Sequence, residues 1–241
     1  MNRFKITRGS IKKLFRKIFR IKENNWFYDS NHKFNINTDE VKKYFDSVKS
    51  TPLSKEGERI EEETIIDLIK IKPGIKILDL GCGEGRWAKT LEDKDIKYIG
   101  VDFSKELIAK AKNRNIKGNV EFIIKPAHDF ISEEKFDLIF LFGLIPYMND
   151  EEIKQLSKNC RFMLKNGGRL ILRDVILDDK GVERKVFDDK NDFSRKIFFN
   201  KIPRYQLIRR SYNNELKLFK EFSLVHNQRI EGTNLSIKIF K

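Results

Sequence analysis

The sequence predicts an α/β protein built on a doubly wound sheet, on three observations. Five short runs, Ile77–Leu80, Tyr98–Asp102, Val120–Ile124, Phe136–Phe142 and Arg169–Val175, have the length and composition of strands buried inside a sheet. Segments with helical spacing separate most of them, and this alternation builds a mostly parallel sheet with helices on both faces. The first run leads into Gly81, Gly83 and Gly85 at alternate positions, and then into Trp87, Ala88 and Leu91 at helical spacing. That unit is a strand, a glycine turn and a helix start, a place where backbone N–H groups are free to meet a ligand.

A chain of 241 residues is long enough to bury one large core. Charged residues make up 36% and hydrophobic ones 39%, the balance of a heavily charged surface. No apolar run approaches the roughly 18 residues of a membrane span, and no signal-peptide core is present. Cys82 and Cys160 lack metal-ligand spacing and read as reduced thiols, which points to the cytoplasm.

The net charge of +14 is uneven: residues 1–22 hold nine Lys or Arg and no acid. Within them Ile11, Leu14, Phe15, Ile18 and Phe19 line one face of a helix and Lys12, Lys13, Arg16, Lys17 and Arg20 the other, with Ser10 placed to cap it. This basic segment, residues 10–22, has several open readings. It docks peripherally on the anionic inner face of a membrane, packs on the main domain or a partner chain, contacts RNA phosphates, or serves as a targeting segment. Residues 23–55 carry Trp26, Phe27, Tyr28, Phe34, Tyr44 and Phe45, with helical spacing from Thr38 to Val48. They read either as a lid over a site or as the anchors of a linker. Residues 1–55 are therefore separated from a main domain at 56–241.

In that domain Glu56–Ile71 is an amphipathic helix with Ile60, Thr64, Ile65, Leu68 and Ile69 on one side, and Pro73-Gly74 turns the chain into the first strand. Ser104 caps a helix over Lys105–Asn113, and Asn149-Asp150 starts another that runs to Met163. Residues 176–210 are a long basic and aromatic insertion after the fifth strand, including Phe187, Phe193, Phe198, Phe199 and Tyr205. A loop of that length is usually functional, and it reads as a cap over a substrate pocket. Asn213–Lys220 reads as a helix, and Phe222–Ile230 and Leu235–Phe240 as two last strands turned at Glu231-Gly232-Thr233.

The dinucleotide fingerprint G-x-G-x-x-G needs a third glycine where this chain has Arg86, and no G-K-[ST] follows to make a phosphate loop. The spacing G-x-G-x-G, with Asp79 two residues before Gly81, resembles motif I of the class I, Rossmann-like S-adenosylmethionine (SAM) methyltransferases. Asp102 stands 21 residues after Gly81, at the end of the second strand, where an acid can accept hydrogen bonds from ribose hydroxyls. Phe103-Ser104 follow it as in the family. The Phe136-Asp137 pair and the Leu164-Lys165-x-Gly-Gly turn are further marks of the family, in its order. The resemblance covers roughly residues 60–175. It implies a seven-stranded sheet closed by an antiparallel pair, SAM as cofactor, and no metal. It also implies cofactor contacts from Asp79, Gly81, Cys82, Gly83, Gly85, Arg86, Asp102, Phe103, Ala127, His128, Asp129, Phe142 and Gly143. The chain departs from the family after the third strand, where Pro126 stands in place of an Asp. That leaves the adenine amino group to a backbone N–H or to Asp129.

Methyl transfer from SAM is an in-line displacement that needs alignment and a dry pocket, and a base only when the acceptor is a hydroxyl or a protonated amine. The resemblance offers His128 and Tyr147 as candidates for the chemistry, and Asp174, a charge at the ligand-binding end of a buried strand, is a third. Arg173, Tyr147, Tyr205 and Arg209 are candidates for the acceptor, Arg173 for an anionic group and Asp174 also as its ion-pair partner. The motifs of amino-group methylation on bases and of cysteine-dependent pyrimidine methylation do not match. The acceptor expected is a small molecule, a sugar or a glycan, and the basic helix favours one linked to lipid at a membrane surface. Methylation of RNA or protein, and a SAM-binding accessory protein without chemistry, are the rival readings. Nucleic acid is the weaker partner because no RNA-binding module is readable.

Overall fold

A computed structural model of the protein describes residues 55–175, 182–187, 205–231, 233 and 235–241. The basic segment at 10–22, the aromatic stretch that follows to residue 54, and residues 176–181 and 188–204 of the insertion lie outside the described residues.

The chain enters through helix α1 (Lys55–Ile69), which carries Glu56 and Glu58 in its first turn, where acids suit the helix dipole. Strand β1 (Ile75–Leu80), helix α2 (Arg86–Thr90), strand β2 (Ile96–Asp102), helix α3 (Lys105–Lys112) and strand β3 (Asn119–Ile124) follow in alternation. The Ser104 hydroxyl caps α3 by accepting the Leu107 N–H at 3.2 Å. Strand β4 (Phe136–Phe142) leads to helix α4 (Asp150–Met163), which opens on a capping box between Asn149 and Glu152. Strand β5 (Leu164–Val175) follows without a break.

The sheet has the order β3-β2-β1-β4-β5-β9-β8, with β8 (Leu224–Arg229) and β9 (Leu235–Phe240) at its end. β1 runs parallel to β2 and β4, and β4 parallel to β5, whereas β9 is antiparallel to both β5 and β8. This is the mostly parallel, seven-stranded, doubly wound sheet that the sequence predicts, closed by an antiparallel pair. One face packs on Ile65 and Ile69 of α1 and Trp87 and Ala88 of α2. The other packs on Ile153, Leu156, Cys160 and Met163 of α4, and on Leu218 and Phe219.

Two predicted elements differ from those observed. The helix expected over Asn213–Lys220 is a short helix α5 (Tyr212–Leu216) that tightens into a 3₁₀ turn over Lys217–Phe219. The insertion was expected as a long loop capping a substrate pocket. It contains strands β6 (Val182–Phe187) and β7 (Tyr205–Arg210), which form a two-stranded sheet of their own. Neither strand alternates cleanly in sequence, so periodicity does not show them.

Candidate active site

The glycine loop begins as a continuation of the sheet. The N–H groups of Gly81 and Cys82 both donate to the Val101 carbonyl, at 2.7 and 3.1 Å, and fasten the loop to the end of β2. Gly83 then takes φ +54°, and a Cβ added there would meet nothing within 4 Å. The loop therefore faces open space with no side chain in the way, and any other residue would be strained there. Gly81 at φ +83° is closed over by Leu144, whose side chain a Cβ would meet at 3.1 Å. The buried Cys82 thiol is shifted upward by desolvation and by the nearby Asp79 and Asp102, so it stays a thiol and is no nucleophile.

Asp102 ends β2 beside this loop. Its Oδ2 accepts the Gly83 N–H at 3.0 Å and its Oδ1 accepts the Ser104 N–H at 2.8 Å. Both oxygens are thus fixed in place, and each keeps a second lone pair for a hydroxyl donor. Burial raises the affinity of this carboxyl for a proton, and the two backbone N–H groups oppose that shift. Phe103 is 43% exposed and Ile124, the register partner of Asp102 on β3, is 47% exposed. The residues next to Asp102 along the chain and across the ladder are therefore apolar and exposed. Ile124 was not legible as a site residue, because on sequence it is one more residue of a strand.

Behind the loop, Asp79 is buried and accepts a hydrogen bond from the Tyr98 hydroxyl, while its Oδ1 has no partner among the described residues. Burial pushes its carboxyl up to about 7, helped by Asp102 and opposed by the Tyr98 hydrogen bond, Arg173 and Arg86. Arg86 and Arg173 converge on Glu61 of α1. Arg86 Nη2 donates to Glu61 Oε1 at 2.8 Å, and Arg173 Nε lies 2.8 Å from the same oxygen as an ion pair without hydrogen-bond alignment. The Arg173 guanidinium also stands 5.6 Å from the centre of the Phe142 ring, and Gly143 N–H donates to the Arg173 carbonyl at 2.9 Å. Glu61 is fully buried and was not expected in the site, since a glutamate in an acid-rich helix reads as solvated surface.

The expected pairing of Arg173 with Asp174 is corrected here. Neighbours on a strand point to opposite faces, so Arg173 meets α1 on one side while Asp174 faces α5 and β9 on the other. There Glu215 of α5 accepts from Lys238 of β9 at 2.6 Å, both residues buried. Asp174 Oδ1 accepts the Val175 N–H at 3.1 Å, and Oδ2 has no hydrogen-bond partner among the described residues. Burial and the Glu215 charge push the Asp174 carboxyl up to about 8, with Arg173 and Lys238 opposing.

The turn after β4, Ile145–Tyr147, carries Tyr147 and is clamped from β7 by a residue the motifs do not reveal. Buried Arg210 donates to the carbonyls of Met148 at 2.9 Å and Ile145 at 3.2 Å, and to Asp150 at 2.6 and 3.0 Å. Arg209, its neighbour, is partly buried, and Tyr205 opens the same strand. His128 and Asp129 sit in a 3₁₀ turn with Ala127 after β3. His128 Nε2 is 3.5 Å from Asp129 Oδ1, and its carbonyl accepts from Asn159 of α4 at 2.8 Å. His128 thus follows β3 while Asp174 lies near the end of β5, four places away in the sheet order.

Residues 77–168 match the family described as a methyltransferase domain. Phosphoethanolamine N-methyltransferase 3 of Arabidopsis thaliana is 28% identical over 166 residues, which is 65% of this chain and 33% of that protein. The chain thus spans about a third of the length of that relative. An uncharacterized protein of Methanocaldococcus jannaschii is 30% identical over 172 residues, 68% of this chain and 75% of its own. Among solved structures, the PH0226 protein of Pyrococcus horikoshii shares the fold with a TM-score of 0.60 at 24% identity, covering 76% of this chain and 90% of its own. Residues 77–168 are thus similar to a methyltransferase domain, and the seven-stranded, mostly parallel sheet has the Rossmann-like methyltransferase fold.

Proposed function

We propose that this protein binds SAM between the glycine loop and Asp102 and transfers its methyl group to a small-molecule acceptor, sugars and glycans included. The observation that carries this reading is the Asp102 carboxylate, held by the N–H groups of Gly83 and Ser104 beside open space at Gly83. The described residues fit the cofactor part by part. Asp102 suits a ribose diol, Phe103 and Ile124 suit the faces of an adenine ring, and the unpartnered Oδ1 of Asp79 suits a cationic amino group. When bound, SAM supplies a methyl already activated by its positive sulfur. The chain's own residues supply position: Leu144 closes over Gly81, and Arg210 fixes the turn that follows. The name of the Arabidopsis relative, an N-methyltransferase, supports a small acceptor.

Calorimetric titration with SAM and S-adenosylhomocysteine tests the reading. Micromolar binding is expected in the wild type and its loss in Asp102→Ala and Gly83→Val. No heat in a folded wild-type protein refutes it. The nine positive charges of residues 1–22 support peripheral contact with an anionic membrane, where a lipid-linked acceptor would be presented. Co-sedimentation with phosphatidylserine vesicles, lost on deleting residues 1–22 and at high salt, is the expected result. No helix among the described residues is long and apolar enough to cross a membrane.

A further inference from the structure

Beyond the end of β5 lies a small cleft, about 10 Å³ of enclosed space that opens to solvent, walled by Ile145, Pro146 and Ile208 and carrying Asp174, Glu215 and Arg210. Ile145 directly follows Leu144, the residue that closes over Gly81, so one turn borders both the glycine loop and this cleft. The cations of the cleft are already engaged. Arg210 is engaged by Asp150 and two carbonyls, and Lys238 is taken by Glu215. Asp174 is left with Oδ2 unbonded among the described residues, although the residue is only 4% exposed. A buried carboxylate without a partner is costly, and a chain retains one where a ligand completes it.

We propose that this cleft receives a protonated amino group of the methyl acceptor, and that Asp174 Oδ2 holds that group and removes its proton. The inference rests on the methyltransferase reading above and narrows its acceptor to an amine. A cation compensates the buried carboxylate, whereas a neutral hydroxyl leaves the charge uncompensated. An ammonium has no lone pair, so it cannot attack carbon until it loses a proton. Asp174 takes that proton. The nitrogen lone pair then forms the bond to the methyl carbon, the carbon–sulfur bond breaks, and its electron pair stays on the now neutral sulfur. The methylated nitrogen carries the positive charge, and the proton on Asp174 leaves to solvent. The charged groups on the same face as Asp174 are Glu215 from α5, Lys238 from β9 and Arg210 from β7, while Arg173 acts on it from the opposite face of the same strand. Burial and the Glu215 charge, opposed by Arg173, Lys238 and the Val175 N–H, set its carboxyl at about 8, within the range useful for a base near neutral pH.

The test uses the full chain saturated with S-adenosylhomocysteine and ¹³C-labelled at its aspartate carboxyls. Asp174→Asn, which keeps the shape of the side chain, assigns the Asp174 resonance. Methylammonium is the probe, with methanol and acetate as controls. Methylammonium is expected to lower the Asp174 titration by about one pH unit or more, a tenfold preference for the ionised carboxylate. Methanol and acetate should leave it in place. A titration unmoved by methylammonium, or moved equally by methanol, overturns the proposal. In turnover with phosphoethanolamine as the amine probe, Asp174→Asn should lower kcat/KM about 100-fold with SAM affinity unchanged. Equal turnover by variant and wild type overturns it as well. Failure of the wild type to bind S-adenosylhomocysteine refutes the methyltransferase reading instead, because methylammonium reports on the cleft without the cofactor.

Discussion

Asp102 and Gly83 form one device at the residue scale, because the N–H of the second is bonded to the carboxylate of the first. Replacing Asp102 by Ala removes the charged acceptor for a ribose diol and frees the Gly83 and Ser104 N–H groups. A charge-assisted hydrogen bond is worth about 1.5–3 kcal/mol, so SAM affinity should fall on the order of 10- to 100-fold. Gly83→Val acts differently. Its Cβ would meet no protein atom, so the steric penalty falls on the ligand, with backbone strain of about 1–2 kcal/mol added to the fold. Calorimetry and thermal unfolding on each variant separate the two effects. Asp102 was legible because one acid at a fixed distance from a glycine triplet is a local pattern. Asp174 was legible as an oddity in a strand, yet its partners were not. Arg173 beside it pairs with Glu61, 112 positions earlier in the chain.

Arg210 ties β7 to the turn after β4 at the scale of elements, reaching Ile145, Met148 and Asp150 together. Arg210→Met keeps much of the apolar volume and removes all of these bonds. Asp150 is 61% exposed and rehydrates, but two carbonyls lose their donor. A loss of about 2–4 kcal/mol in unfolding free energy is expected, measured by urea titration. SAM affinity should change little, since β1 and β2 hold the glycine loop, whereas the acceptor KM should rise. Arg210 was passed over on sequence as one basic residue among many in an insertion. Its role comes from a strand pairing, β6 with β7, that periodicity did not show.

For the whole molecule, buried acids set the pH dependence of stability. Asp79, Asp102, Glu152 and Asp174 all have proton affinities raised first by burial, to about 7 for Asp79 and about 8 for Asp174. Between the ordinary aspartate value of 3.8 and these values the folded state holds protons that the unfolded state has released. Stability therefore falls as pH rises through that window, by on the order of 1 kcal/mol per pH unit for each such group. Glu84, Glu134 and Asp137 act with the opposite sign, because Lys and Arg partners lower them, but they are part-exposed and weak. Urea unfolding at pH 5 and pH 8.5 should show the wild type less stable at the higher pH. In Asp174→Asn the slope should be shallower, and the variant should be the more stable protein at pH 8.5. A wild-type slope of the opposite sign would exclude an unpaired buried Asp174.

The sequence by itself determined the order of strands and helices over residues 56–175, the last two strands, the glycine loop and Asp102. These rest on periods of two and 3.6 residues, on turn chemistry and on capping, all of which act within a few residues. The tertiary structure alone decided which charges meet. Glu61 joins Arg86 and Arg173 because α1 docks on the face of the sheet where β5 presents Arg173. Glu215, Lys238 and Asp174 come together because β9 lies antiparallel beside β5, with Ser236 opposite Asp174 and Lys238 one step further on that face. Register and face decide such meetings, and both are settled by packing across the whole sheet rather than by any local stretch of chain.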